Sequence, residues 1–230
     1  NFIQDDDGNC CAPNELDDCD MCSNFSELGT ELEEWPIIWY EDFSSDSLNP
    51  NHWNIEYWES GRYNNELQAY TPRSDNAFIE DGKLVIQALR ENFTYINYFT
   101  GEEIPAEYTS ARLNTKLKVD FGPLNCGSNQ GGEIRVDVKA KLPDGNGTWP
   151  AIWLLPTFDF YGQWPSSGEI DIMEHSPQVT GLNNILSSVH TQEYNFNSDG
   201  WYQSGQTIES SSLNFEEPIN NVSTEFLLYS

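Results

Sequence analysis

Between Glu133 and Leu142 every second residue is apolar: Ile134, Val136, Val138, Ala140 and Leu142 alternate with Glu133, Arg135, Asp137, Lys139 and Lys141. Strand side chains alternate faces, so the pattern predicts a strand with one solvated face, and the charges on that face need no functional explanation. Pro150–Leu155 is a continuous apolar run, which predicts a strand covered on both sides. Phe78–Glu80 and Lys83–Ala88 flank Asp81-Gly82, a dipeptide that favours a two-residue hairpin turn. Residues 36–43 read as a first strand running into a turn, and Ile185–His190 as another strand. Helical periodicity is absent over any useful length. Short strands separated by Gly, Pro and Asn turns predict an all-β sandwich.

One predicted strand breaks the usual chemistry. In Gly168-Glu169-Ile170-Asp171-Ile172-Met173-Glu174-His175, carboxylates stand where a strand should make apolar contacts. Glu169 and Asp171 share a face, while Glu174 is out of phase by one residue. A bulge absorbing one residue around Ile172–Met173 would return Glu174 to that face and send His175 to the other. The Cα atoms of the two glutamates would then lie roughly 13 Å apart along an extended strand. Leaning side chains could close this to the ~5–5.5 Å carboxyl separation of a retaining glycosidase. Asp171 is too short to reach the same point, but it can hydrogen-bond either neighbour and tune its ionisation. Two rivals are a solvated outer strand face, since acids are usually exposed, and a calcium site, although calcium loops normally place Gly or Asn turns between ligands.

The neighbouring residues favour sugar chemistry, because aromatic faces pack on pyranose C–H faces. Trp149 and Trp153 stand in "GTWPAIWLLP" and Trp164 in "YGQWP". These segments, "WPAIWLLP" followed by "GQWPSSGEIDIMEH", resemble family 16 of the glycoside hydrolases, in the laminarinase branch. "YNNELQAYT" (63–71), "EDGKLVIQA" (80–88), "YTSARLNT" (108–115) and "EIRVDVKAKLPDGNGTWPAIW" (133–153) resemble further family segments in the same order.

The resemblance runs from about Trp35 onward. It implies a concanavalin A-like β-jelly-roll sandwich and a retaining endo-β-1,3-glucanase, with mixed-linkage glucan or galactan as other substrates within the class. A non-catalytic β-glucan recognition protein is the rival from another class, but such relatives typically lack one or both glutamates. By the same resemblance Glu169 is the nucleophile, Glu174 the general acid/base and Asp171 their electrostatic partner. Asn65, Glu66 and Arg112 would bind substrate hydroxyls, Trp149, Trp153 and Trp164 would be sugar platforms, and His190 would line the cleft. For each of these a structural role competes, Trp153 as core and His190 as a satisfied strand residue above all. The family domain continues beyond the segment matched by 224–230, so the catalytic domain at 35–230 is expected to be incomplete at its C-terminus.

Charge and cysteines fill in the setting. Thirty-eight acidic against ten basic side chains leave a net charge of -28, and all ten Lys and Arg lie between Arg62 and Lys141. Such a field disfavours nucleic acid and membrane surfaces as partners and fits a neutral glucan better than a sulfated polymer. Near the acids no cation is close in sequence, and Arg112 is the distant candidate. Residues 1–34 are acidic and hold Cys10, Cys11, Cys19 and Cys22, so they read as an appendage or linker, with local disulfides ahead of a zinc site. Cys126 is left over. Sequons begin at Asn24, Asn92, Asn146 and Asn221. No apolar run approaches the ~20 residues that span a bilayer. The chain is therefore expected to be extracellular and secreted, to act as a monomer and to require no cofactor; a structural calcium has no clear motif.

Overall fold

The computed structural model describes residues 37–121, 134–179, 181–192 and 222–230, together with the backbone of short strands at 3–4, 10–11 and 208–209. Every regular element among the described residues is a β-strand. The chain divides into two compact units, Asn1–Ile134 and Arg135–Ser230. Cys19, Cys22, Cys126 and the expected boundary at Trp35 lie outside the described residues.

In the first unit, β1 (Ile3–Gln4) pairs with β2 (Cys10–Cys11), and β3 (Asn54–Ile55) pairs with β9 (Leu113–Asn114). A three-stranded sheet is ordered β4 (Gln68–Tyr70), β8 (Glu103–Ser110), β7 (Leu89–Ile96), with β4 and β8 parallel. The predicted hairpin forms as β5 (Ala77–Glu80) and β6 (Lys83–Ile86). Asp81 at φ 51° and Gly82 at φ 66° supply the two left-handed residues that a tight hairpin turn demands. By contrast, residues 37–43 join no ladder, and Ile38 and Tyr40 are exposed. Local apolarity there predicted a strand, but a strand needs a paired edge, which sequence does not supply.

This unit holds a buried polar cluster beside the buried Ala69 and Ala77. Thr71, Asn76 and Thr109 are wholly buried. Asn76 Nδ2 donates to Gln87 O and to Thr109 Oγ1, each at 3.0 Å, and Arg73 pairs with Glu91. Each side-chain donor of this cluster thus finds an acceptor.

The second unit carries β10 (Val138–Ala140) against β15 (Leu227–Tyr229), and a sheet ordered β11 (Ala151–Leu154), β12 (Glu169–Glu174), β13 (Leu186–His190), β14 (Ile208–Glu209). The predicted strand at 133–142 is laddered only over β10, yet its alternation survives, since Val136, Val138, Ala140 and Leu142 are covered while Arg135, Asp137, Lys139 and Lys141 are exposed. The run 150–155 is not covered on both sides. Ala151 and Leu155 are exposed, and Ile152, Trp153 and Leu154 are half-buried.

Leu142, Met173, Val222 and Tyr229 form the core of this unit, packed by Ala140, Ile152, Ile172, Ile185 and Leu227. Met173 is 1% exposed, whereas Ile170 on the same strand is 47% exposed. Truncating Met173 to alanine should cost about 2–5 kcal/mol in urea unfolding. The same change at Ile170 should cost under about 1 kcal/mol. The reverse order would mean that β12 presents its other face to the core.

Candidate active site

The acidic strand is bulged where its spacing requires. Against β11, Ile152 pairs with Met173 and the next residue, Trp153, pairs with Asp171, so Ile172 is the extra residue. Against β13, Asp171 faces Ser188 and Glu174 faces Leu186, three residues on β12 for two on β13. The inserted residue restores the phase of Glu174, and Glu169, Asp171 and Glu174 share one face. Residues paired across an antiparallel ladder also share a face, which adds Trp153, Ser188 and His190 to the acids. Gly168, at φ 94°, turns the chain into the strand, and its N–H donates to Pro165 O at 3.0 Å. His175 leaves the acidic face as expected. It is fully buried, with Nε2 3.1 Å from Leu182 O.

Each glutamate receives an indole N–H. Trp164 Nε1 donates to Glu169 Oε2 at 2.7 Å, and Trp149 Nε1 donates to Glu174 Oε1 at 2.9 Å. Asp171 is 4% exposed, and its Oδ2 accepts the Ser188 hydroxyl at 2.6 Å with His190 Nε2 at 3.3 Å. The Trp164 and His190 rings lie 6.0 Å apart. The predicted residues Glu169, Asp171, Glu174, Trp149, Trp153, Trp164 and His190 therefore gather around one strand face. Ser188 was missed, because a serine in a strand carries no mark of its role; only the ladder shows that it faces Asp171.

Asn65, Glu66 and Arg112 lie in the first unit. Asn65 is exposed at φ 56°, in the left-handed region that asparagine tolerates in turns. Glu66 Oε2 accepts the Tyr70 hydroxyl at 3.0 Å. Arg112 Nε lies 2.9 Å from Glu56 Oε2, and its guanidinium is 4.5 Å from the centre of the Trp58 ring.

Burial pushes the Glu169 carboxyl up to about 7, and the Asp171 charge adds to that push against the Trp164 hydrogen bond, with a hydrogen bond to Asp171 and the Glu174 charge raising it further. Burial also raises Glu174, helped by Asp171 and opposed by Trp149 and His190. Two carboxyls raised together can hold one proton between them near neutrality, which suits acid–base work. A ligand atom from each of Glu169, Asp171 and His190 falls within 4.8 Å of the others, close enough for a metal ion; a hydrogen bond between Glu169 and Asp171 and the Asp171–His190 contact also bring these groups together.

An all-β chain with paired carboxylates and aromatic rings on one strand face has the makings of a carbohydrate-active jelly roll. The XgeA-like, catalytic GH16 domain profile matches residues 129–224. A curated beta-glucanase of Rhodothermus marinus is 37% identical over 177 residues, which cover 74% of this chain and 53% of the relative. The X-ray structure of the laminarinase from Rhodothermus marinus aligns with a TM-score of 0.63 at 32% identity, over 84% of this chain and 65% of that one. LamA from Z. galactanivorans, solved with laminaritriose and laminaritetraose, aligns with a TM-score of 0.57 at 30% identity, over 82% of this chain and 70% of that one. The chain belongs to glycoside hydrolase family 16 and has its jelly-roll fold. It spans about half the length of the curated relative, 53%.

The raised carboxyl leaves a mark on stability. Between the ordinary value of 4.5 and about 7, native Glu169 binds more protons than unfolded Glu169, so its contribution falls as pH rises through that window. Glu169→Gln removes the buried charge and keeps an acceptor for Trp164. The variant should melt higher than wild type at pH 8 and equal to it near pH 4. An equal gap at both pH values would show that the charge is not the cause.

Proposed function

We propose that this protein is a secreted retaining endo-β-1,3-glucanase of laminarinase type. The observation that carries the reading is the bulge, which puts Glu169 and Glu174 on one face with an indole N–H on each. In this reading Glu174 protonates the glycosidic oxygen while Glu169 attacks the anomeric carbon. A water activated by Glu174 then hydrolyses the glycosyl-enzyme. Asp171, fixed by Ser188 and His190, holds the shared proton on the pair in the free enzyme. Positive charge developing at the anomeric carbon favours ionised Glu169, leaving the proton to Glu174.

Trp149, Trp153 and Trp164 are the sugar platforms of this reading, and His190 borders them; Asn65, Glu66 and Arg112 are its hydroxyl-binding groups. β-Glucan is the substrate class. Secretion is supported by a polymeric substrate and by the exposed sequons at Asn92 and Asn146. The protein works as a monomer in this reading, and its chemistry runs on the carboxyls alone. A non-catalytic glucan-recognition role is less favoured because both glutamates are present and equipped with donors.

Reducing-end release from laminarin, lichenan and agarose tests the class. Laminarin should be the preferred polymer, and no release from any of them would leave only recognition. Glu169→Gln should lower kcat by roughly 10³-fold or more while laminarin binding persists. Glu174→Ala should regain cleavage of an activated β-glycoside with azide and give the β-glycosyl azide. An α-product would overturn retention.

Activity should need one proton on the pair, so its alkaline limb marks loss of the last proton, which burial and the Asp171 charge push upward. The Asp171 charge raises both glutamates. Asp171→Asn should therefore move the alkaline limb of kcat/KM to lower pH. A limb that stays in place or rises would contradict the role given to Asp171.

A further inference from the structure

The connection from β11 to β12 is rich in exposed rings. Phe158 is 53% exposed, Phe160 82%, Tyr161 81% and Trp164 44%. Phe158 and Phe160 form an edge-on pair with centres 5.7 Å apart at 61°. Exposing so much aromatic surface forgoes burial that these side chains would normally gain.

The segment is braced. Ser167 Oγ donates to Gly162 O at 2.7 Å and accepts the Tyr161 N–H at 3.1 Å. Phe160 N–H donates to Phe158 O at 2.9 Å, and Gly162 N–H to Asp159 O at 3.1 Å. Gly162, at φ 113°, takes a backbone conformation that a side chain would strain. The backbone that carries the rings is held this way, so less of it has to be ordered on binding.

Two observations identify the occupant. The segment is continuous with the carboxylates, because Trp164 within it bonds Glu169. Its charge is also telling: from Leu155 to Gly168 the single side chain charged at neutral pH is Asp159, with no cation to receive an anionic partner. A neutral chain with alternating C–H faces and hydroxyls matches such a surface.

We propose that Phe158 and Phe160, with Tyr161, form a docking platform for the glucan chain beyond the sugars at the carboxylates, so that the protein favours long polymer over short oligosaccharide. The proposal rests on the glucanase reading and extends it to chain length. Phe160 and Tyr161 offer their open rings to pyranose faces, and Phe158 buttresses Phe160. The acids are untouched by these rings, so their loss acts on binding and not on bond cleavage.

The test compares kcat/KM on long-chain laminarin with that on the shortest laminari-oligosaccharide the wild type cleaves. Phe158→Ser combined with Phe160→Ser should raise KM for the polymer roughly tenfold with kcat unchanged. The oligosaccharide should stay within about twofold. Phe160→Trp, which keeps a ring, should retain the polymer preference and exclude a general defect of the loop. Equal losses on both substrates, or none on either, would overturn the platform. So would a change in sedimentation without a change in polymer KM, which would assign the rings to self-association. If the wild type cleaves nothing, the glucanase reading fails by itself. Retardation in laminarin-containing gels then reads the platform directly: it should be lost in the double serine variant, and unchanged retardation would sink the proposal.

Discussion

One inserted residue in β12 governs the site. Without it, a strand carrying Glu169 and Asp171 on one face would turn Glu174 toward the core and Met173 toward solvent. A one-residue slip exchanges every later side chain between faces, so the bulge settles the arrangement of the acids and the packing together. Both neighbouring strands record the insertion, β11 opposite Ile172 and β13 between Ser188 and Leu186. The same residue that brings the second glutamate to the acids also drives Met173 into contact with Leu142, Val222 and Tyr229. Packing therefore holds the register that chemistry uses.

Three carboxyls on one face would repel each other and lose hydration if nothing else were present. The structure answers with hydrogen-bonding partners: two indoles on the glutamates, and a serine hydroxyl with an imidazole at Asp171. Such partners hold each oxygen in place yet leave the pair raised, so a proton can still be shared near neutrality. A cation pressed against the pair would have lowered both carboxyls and removed the acid. The absence of Lys and Arg after Lys141 is consistent with this economy of charge.

The aromatic residues divide between roles. Trp149 and Trp164 serve as hydrogen-bond donors while remaining 61% and 44% exposed, so each can offer ring surface as well. Phe158, Phe160 and Tyr161 carry that surface further along the braced connection. In the first unit, Trp58 lies beneath two guanidiniums, with Arg62 at 4.7 Å and Arg112 at 4.5 Å, a cation–π arrangement.

The sequence by itself determined what local chemistry can determine. The Asp81-Gly82 turn, the alternation through 135–142 and the one-residue phase error of Glu174 each rest on periodicity or turn stereochemistry, which neighbouring residues dictate. The class of the site was legible only through the resemblance of several ordered segments to glycoside hydrolase family 16, because the acid spacing alone left a solvated face and a calcium site open. Other features required the ladders. Of the expected strand at 36–43 the described residues found no partner, the apolar run at 150–155 was half open, and Ser188 gained its role from a residue seventeen positions away. Which indole meets which glutamate, and how far burial lifts each carboxyl, depend on distances across strands. Pairing and desolvation are properties of the assembled sheet, and only the tertiary structure could decide them.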